Sequence, residues 1–131
     1  MIFVDTGAWY SLMVHDDPRH ADALLWFQNN HERLVTTDYI LDETLTLFRA
    51  RGFHRQAIEF GQRLLDQRTA EFTLVNLEDI EAAWEVFQKY ADKEWSFTDC
   101  TSKVVMERLG LTTAFAFDQH FHQFGSVVVV P

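Results

Sequence analysis

The stretch Met1-Ile2-Phe3-Val4-Asp5-Thr6 sets three bulky apolar residues in a row and ends them on a carboxylate. With no polar alternation, Ile2 to Val4 predicts a strand buried on both faces, as in a parallel sheet covered by helices. An acid directly after such a strand emerges at the carboxyl edge of the sheet, where open α/β folds hold their ligands. Asp5 is therefore the first candidate site residue. The competing reading makes Asp5 only the cap of the next helix, with Thr6 and Gly7 forming the turn.

Outward from this strand the chain keeps alternating between strand and helix patterns. Ala8 to Val14 reads as a short helix or turn carrying Trp9, Tyr10, Leu12 and Met13. Asp17-Pro18 marks a new helix start, with Asp17 as cap and Ala21, Leu24, Leu25 and Phe27 as its inward stripe. Leu34-Val35-Thr36 is the second strand, and Thr37 or Asp38 caps a helix running through Ile40, Leu41, Leu45, Leu47 and Phe48 to about Gly52. Phe53, Ala57, Phe60, Leu64 and Leu65 recur with helical spacing, so the segment is an amphipathic helix. Phe72 to Val75 is the third strand. Ile80, Ala83, Trp84 and Phe87 outline a helix from about Glu78 to Ala91, with Trp84 inward by its phase. Ser96 or Thr98 caps a helix ending before Gly110; Thr113 to Phe117 and Val127 to Val130 are the last strands. The alternation predicts a three-layer α/β/α sandwich with a central, mostly parallel sheet of four to five strands and right-handed crossovers.

The 131 residues, 47% of them hydrophobic, suit one domain spanning 1–131 with a real core. Two Pro and five Gly leave little for flexible linkers. No basic leader with an apolar stretch is visible, nor any run near the ~20 residues that span a bilayer, so a cytoplasmic location and no membrane partner are expected. The lone Cys100 cannot form an internal disulfide.

The formal net charge of -9 opposes a broad positive footprint for nucleic acid. Locally, Arg49, Arg51, Arg55, Arg63 and Arg68 outnumber Glu59 and Asp66, which makes either a phosphate-facing patch or an ordinary solvated helix face. Bound cations would also neutralise clustered carboxylates, and an acidic surface suits a basic protein partner.

Helix starts and strand ends share one edge of a parallel sandwich. That rule gathers four acids: Asp5 after the first strand, Asp118 after the fourth, Asp99 opening one helix, and Glu43 in the first two turns of another. Glu43 shares a helix face with Ile40 and Leu47, and a carboxylate on a buried face needs a partner. Four carboxylates packed together repel one another unless a cation sits among them, and oxygen-only ligation selects Mg²⁺ or Mn²⁺. Such a site serves phosphate chemistry, here hydrolysis of a phosphodiester. Asp5, Asp99 and Asp118 are assigned to the metal, and Glu43 to the metal or to orienting the attacking water. Thr6 and Thr98 are candidates for holding these carboxylates by hydrogen bonds. His120 and His122 flank Phe121 just after Asp118, where a metal role competes with the favoured surface or packing role; His15, His20, His31 and His54 carry no recognisable spacing. Cys100 is expected in the core beside Val104.

Ile2-Phe3-Val4-Asp5-Thr6, Asp42-Glu43, Ser96-Phe97-Thr98-Asp99-Cys100 and Ala116-Phe117-Asp118-Gln119-His120-Phe121 together resemble the PIN domain, in particular the small VapC-type ribonuclease toxins of toxin-antitoxin pairs. The resemblance spans the chain, and all four acids of the family pattern are present as Asp5, Glu43, Asp99 and Asp118. It implies Mg²⁺- or Mn²⁺-dependent endonucleolytic cleavage of RNA, a homodimer, and inhibition by a cognate antitoxin protein.

Rival enzymes fit less well. A haloacid-dehalogenase-type phosphatase places a second Asp where Gly7 stands, and a dinucleotide fold needs Gly-x-Gly-x-x-Gly where the chain has Asp5-Thr6-Gly7-Ala8. From another class, a non-catalytic PIN-fold module would bind RNA or protein through its aromatic residues, with Trp9 and Trp95 flanking the site segments.

Overall fold

The computed structural model describes residues 1–131. Its five strands are β1 (Ile2–Val4), β2 (Leu34–Thr37), β3 (Glu71–Thr73), β4 (Thr113–Phe115) and β5 (Val128–Val130). They form one sheet in the order β3-β2-β1-β4-β5, and every pairing is parallel. The expected mostly parallel sheet is thus wholly parallel. Its first strand is central, as an unbroken apolar run requires: Ile2, Phe3 and Val4 are all closed off from water.

The helices are α1 (Thr6–Met13), α2 (His20–Asn29), α3 (Asp38–Ala50), α4 (His54–Leu65), α5 (Leu77–Lys89) and α6 (Phe97–Leu109), with a 3₁₀ turn at Gln119–Gln123. The chain steps from β1 to β2 to β3, then returns across the sheet to β4 and β5. Right-handed crossovers therefore put α1 to α4 on one face and α5 with α6 on the other. The packing agrees, since α1 meets α2 and α3, α3 meets α4, and α5 lies along α6. The reversal of direction falls between β1 and β4, whose carboxyl ends form the crevice that open sheets use for ligands.

Local chemistry sets the element boundaries. Thr37 caps α3 by accepting from the Ile40 N–H at 3.2 Å. Capping boxes start α5 (Asn76 with Asp79) and α6 (Ser96 with Asp99), and Gly110 closes α6 at φ 68, a left-handed turn open to glycine. Asp17 does not cap α2, which is preceded by Arg19. The Asp17 carboxylate instead accepts from the Ser11 hydroxyl at 2.9 Å and the Arg19 N–H at 3.0 Å, pinning the end of α1 to the loop. In α2 the buried residue is Ala23, while Ala21 and Leu25 face water. β3 and β4 stop earlier than the apolar runs suggest, with Leu74 exposed after β3 and Ala116 buried after β4.

The tryptophans reverse the expectation. Trp9 and Trp95 lie in the core, where their ring N–H groups donate to Thr36 Oγ1 at 3.3 Å and Gln123 Oε1 at 2.9 Å. Trp84, assigned inward by its phase, is 54% exposed and stacks on exposed Phe87. The inward face of α5 is taken by Asp79, Ala83 and Val86, because Asp79 has a cation waiting on α6. Arg49, Arg51, Arg55, Arg63 and Arg68 are all exposed; Arg63 pairs with Glu59 one turn away, and Arg51 lies over the Tyr10 ring. The Arg-rich segment is thus a solvated face. Cys100 is buried beside α6's apolar residues, as expected.

Candidate active site

All four acids arrive at the β1/β4 crevice. Asp5 leaves β1 in an extended conformation, and its N–H donates to Phe115 O at 3.0 Å, tying the end of β1 to the end of β4. Its side chain makes no capping hydrogen bond with α1, so the helix-cap reading does not account for it. Burial raises its carboxyl to about 8; the Thr6 backbone N–H opposes this, and the charges of Glu43, Asp99 and Asp118 add to it. These three charges bear on a side chain only 5% exposed.

Glu43 reaches the same place from the second turn of α3. Desolvation raises its proton affinity, the Thr6 hydroxyl lowers it, and Asp99, Asp118 and Asp42 raise it again. Thr6 thereby lowers the proton affinity of both acids, and its hydroxyl accepts from the Thr44 hydroxyl at 3.4 Å. Thr98 has no such contact; its carbonyl accepts from the Thr101 hydroxyl within α6.

Asp99 is held by its own helix start. Its Oδ2 accepts from the Ser96 N–H at 3.0 Å while Ser96 Oγ accepts the Asp99 N–H at 3.0 Å. Asp118 begins the 3₁₀ turn, where its Oδ1 accepts the His120 N–H at 2.9 Å. That turn is braced from below by Phe121, which is buried and packs against Phe3 and Phe124.

His120 corrects the sequence reading. It is neither a surface nor a packing residue, because its Nδ1 lies 2.8 Å from Asp99 Oδ2 and 3.3 Å from Asp118 Oδ1. Donor atoms of Asp99, Asp118 and His120 all fall within 4.8 Å of one another. The available signal was spacing: in a 3₁₀ turn anchored by Asp118, the residue two positions on folds back over the carboxylate while Phe121 points into the core. His122 is exposed.

The residues fit a divalent cation on one observation above others. Asp5 is buried among three further carboxylates, and no Lys or Arg pairs with any of the four. A buried charge without a partner is expensive, and hard oxygen donors in this number are what divalent cations take. Such a pocket at a sheet's switch point defines a phosphate-handling α/β domain.

The chain belongs to the PIN domain family, whose model matches residues 2–127. It is 37% identical to the 23S rRNA-specific endonuclease VapC20 of Mycobacterium tuberculosis over 132 aligned residues, covering 100% of this chain and 99% of that protein. It is 30% identical to a VapC ribonuclease of Archaeoglobus fulgidus over 123 residues, 90% of this chain and 77% of that one. The crystal structure of Mycobacterium tuberculosis VapC20, described as a sarcin-ricin loop cleaving toxin, superposes with a TM-score of 0.93 at 33% identity, covering 100% of both chains. The chain is accordingly a nuclease of the VapC kind.

Proposed function

We propose that this protein is the toxin of a toxin-antitoxin pair, a divalent-metal-dependent endoribonuclease that acts on ribosomal RNA in the cytoplasm. The observation that carries the activity is the convergence of Asp5, Glu43, Asp99 and Asp118 on one crevice, with Asp5 pushed up to about 8 by burial and like charges. The choice of ribosomal RNA rests on the full-length likeness to VapC20. No helix is long and apolar enough to cross a membrane.

Asp5, Asp99 and Asp118 would hold Mg²⁺ or Mn²⁺, which when bound polarises the phosphate and favours ionised water. Glu43 stands beside them with raised proton affinity, suited to orient the attacking water and take its proton. The water oxygen bonds to phosphorus, the bond to the leaving ribose oxygen breaks, and solvent returns a proton to that oxygen. Thr6, beside both acids, favours their ionised forms.

Two surfaces suit the proposed protein partners. A groove of about 260 Å³ between α1, α2 and α4, lined by Trp9, Leu12, Met13, Leu24, Phe27 and Phe60, suits an apolar segment of the antitoxin. A second copy of the chain would cover Leu74, Leu77, Trp84 and Phe87, which are 63, 69, 54 and 44% exposed on and beside α5. The homodimer predicts a sedimentation mass of twice 15.4 kDa, falling to the single-chain mass for Trp84→Glu.

The decisive assay incubates the purified protein with intact ribosomes, with and without Mn²⁺, and maps breaks by primer extension. A metal-dependent cut in the sarcin-ricin loop, absent for Asp5→Asn, is the expected result. Equal cutting by both proteins would refute the nuclease assignment, and cuts confined to other RNAs would refute the ribosomal target.

A further inference from the structure

The imidazole of His120 enters the acid crevice from a residue outside the four-acid pattern, and its placement has the spacing of a ligand. Donor atoms on adjacent vertices around one divalent ion, each at roughly 2.1 Å, lie about 3 Å apart. Nδ1 of His120 stands 2.8 Å from Asp99 Oδ2 and 3.3 Å from Asp118 Oδ1, which brackets that spacing. The ring has little freedom to leave. Its own backbone N–H is bonded to Asp118 Oδ1 at 2.9 Å, and the next residue, Phe121, is locked in the core. With a quarter of its side chain still exposed, the ring leaves its far nitrogen free to donate to water.

We propose that His120 is a metal ligand, coordinating through Nδ1 beside the carboxylates of Asp99 and Asp118, and that this nitrogen makes the centre prefer Mn²⁺ over Mg²⁺. The inference rests on the metal-dependent reading above and sharpens it. Mg²⁺ takes oxygen donors and gives up its waters reluctantly, whereas transition ions accept imidazole readily. A site of carboxylates alone offers little basis for choosing between the two ions. One imidazole in the donor set supplies it. Binding requires Nδ1 to carry no proton, so the Nδ1 hydrogen bond to Asp99 is exchanged for the bond to the ion.

The alternative role is that of a positioning residue, in which Nδ1–H only holds Asp99 and Asp118 in place. Asparagine separates the two, because its amide nitrogen falls near the Nδ1 position and donates a hydrogen bond but is a poor metal ligand. The experiment loads the full-length protein with Mn²⁺ and records pulsed electron paramagnetic resonance for ¹⁴N modulation. In parallel, calorimetric titration measures Mn²⁺ and Mg²⁺ affinities for wild type and for His120→Asn, with thermal unfolding of both proteins as a check on folding.

The expected result is imidazole ¹⁴N coupling in the wild type and its loss in His120→Asn. Mn²⁺ affinity should fall by about tenfold in the variant while Mg²⁺ affinity stays within about twofold. Mn²⁺ bound to wild type with no nitrogen coupling overturns the proposal and leaves the nuclease assignment standing, and this readout needs no variant to fold. An unchanged ratio of affinities in His120→Asn also overturns it. Failure of wild type to bind either ion would remove both readings together.

Discussion

Asp5 and Asp79 are both nearly closed off from water, at 5% and 2% exposed, and they illustrate two ways of keeping a charge inside a protein. Asp79 sits between α5 and α6 with all its needs met from within the chain. Arg108 grips it from α6, Nε to Oδ1 and Nη2 to Oδ2 at 2.8 Å each, and the Asn76 N–H adds a bond at 3.2 Å. Burial alone would push its carboxyl up; the Arg108 and Asn76 bonds and the guanidinium charge outweigh burial and hold it below the ordinary range. Asp5 has a single backbone N–H on its side and three carboxylates against it, and it rises to about 8. Asp79 belongs to the architecture. Asp5 leaves an electrostatic demand that only something from outside can meet, which is how a binding site differs from a structural ion pair.

The sharpest way to break this contrast is Asp5→Asn. Cleavage should fall by about a thousandfold or more in a gel-based assay, while the metal-free protein should unfold no more easily, since the neutral amide removes the cost of protonating a buried carboxyl on folding. Loss of stability with activity retained would place Asp5 in the structural class. The converse variant is Arg108→Ala, which strands a buried carboxylate. It should cost about 3 kcal/mol in denaturant unfolding, and the cleavage rate of the folded protein should change by less than about twofold.

The pH dependence should show opposite slopes for the two residues. Asp5 in the metal-free folded chain keeps a proton that the unfolded chain loses near the ordinary carboxylate value. Stability should therefore fall as pH rises from about 4 to about 8, by at most about 1.4 kcal/mol per pH unit, and saturating Mn²⁺ should remove the fall. Asp79, held low, contributes stability that is complete above the unfolded value near 3.9 and is lost as pH drops through its depressed folded value. Unfolding curves across that range should lose the upper slope in Asp5→Asn and the lower slope in Arg108→Ala; the reverse pattern would refute the pairing. The smallest expected effect is Thr6→Val, which removes the hydroxyl that lowers the proton affinity of Glu43 and accepts from Thr44 but leaves the backbone beside Asp5 unchanged. Cleavage should slow by about tenfold with binding of RNA unchanged.

The sequence disclosed what depends on chain direction and local pattern. An unbroken apolar run ending on Asp5 placed β1 in mid-sheet, and the shared edge of strand ends and helix starts brought Glu43, Asp99 and Asp118 to it. It disclosed little of what depends on a distant partner. Phase put Trp84 inward, but Arg108, far along the chain, pulls Asp79 inward and turns α5 so that Trp84 faces water. His120 was named but assigned to surface or packing for a related reason: a five-residue 3₁₀ turn has no periodic signature, and only the locking of Phe121 against Phe3 reveals which way the imidazole swings. Trp9 and Trp95 were hidden by their polar handles, whose partners Thr36 and Gln123 lie 27 and 28 residues away.

The capping box that starts α6 bears on how an inert version of this protein should be made. Ser96 and His120 both lean on Oδ2 of Asp99, so replacing that residue would unsettle a helix terminus and a neighbouring ring together with the chemistry. Trapping an intact substrate for structural work is better done at Asp5, whose side chain takes no part in capping α1. Silence at Asp99 would be ambiguous, whereas silence at Asp5 reports on the reaction alone.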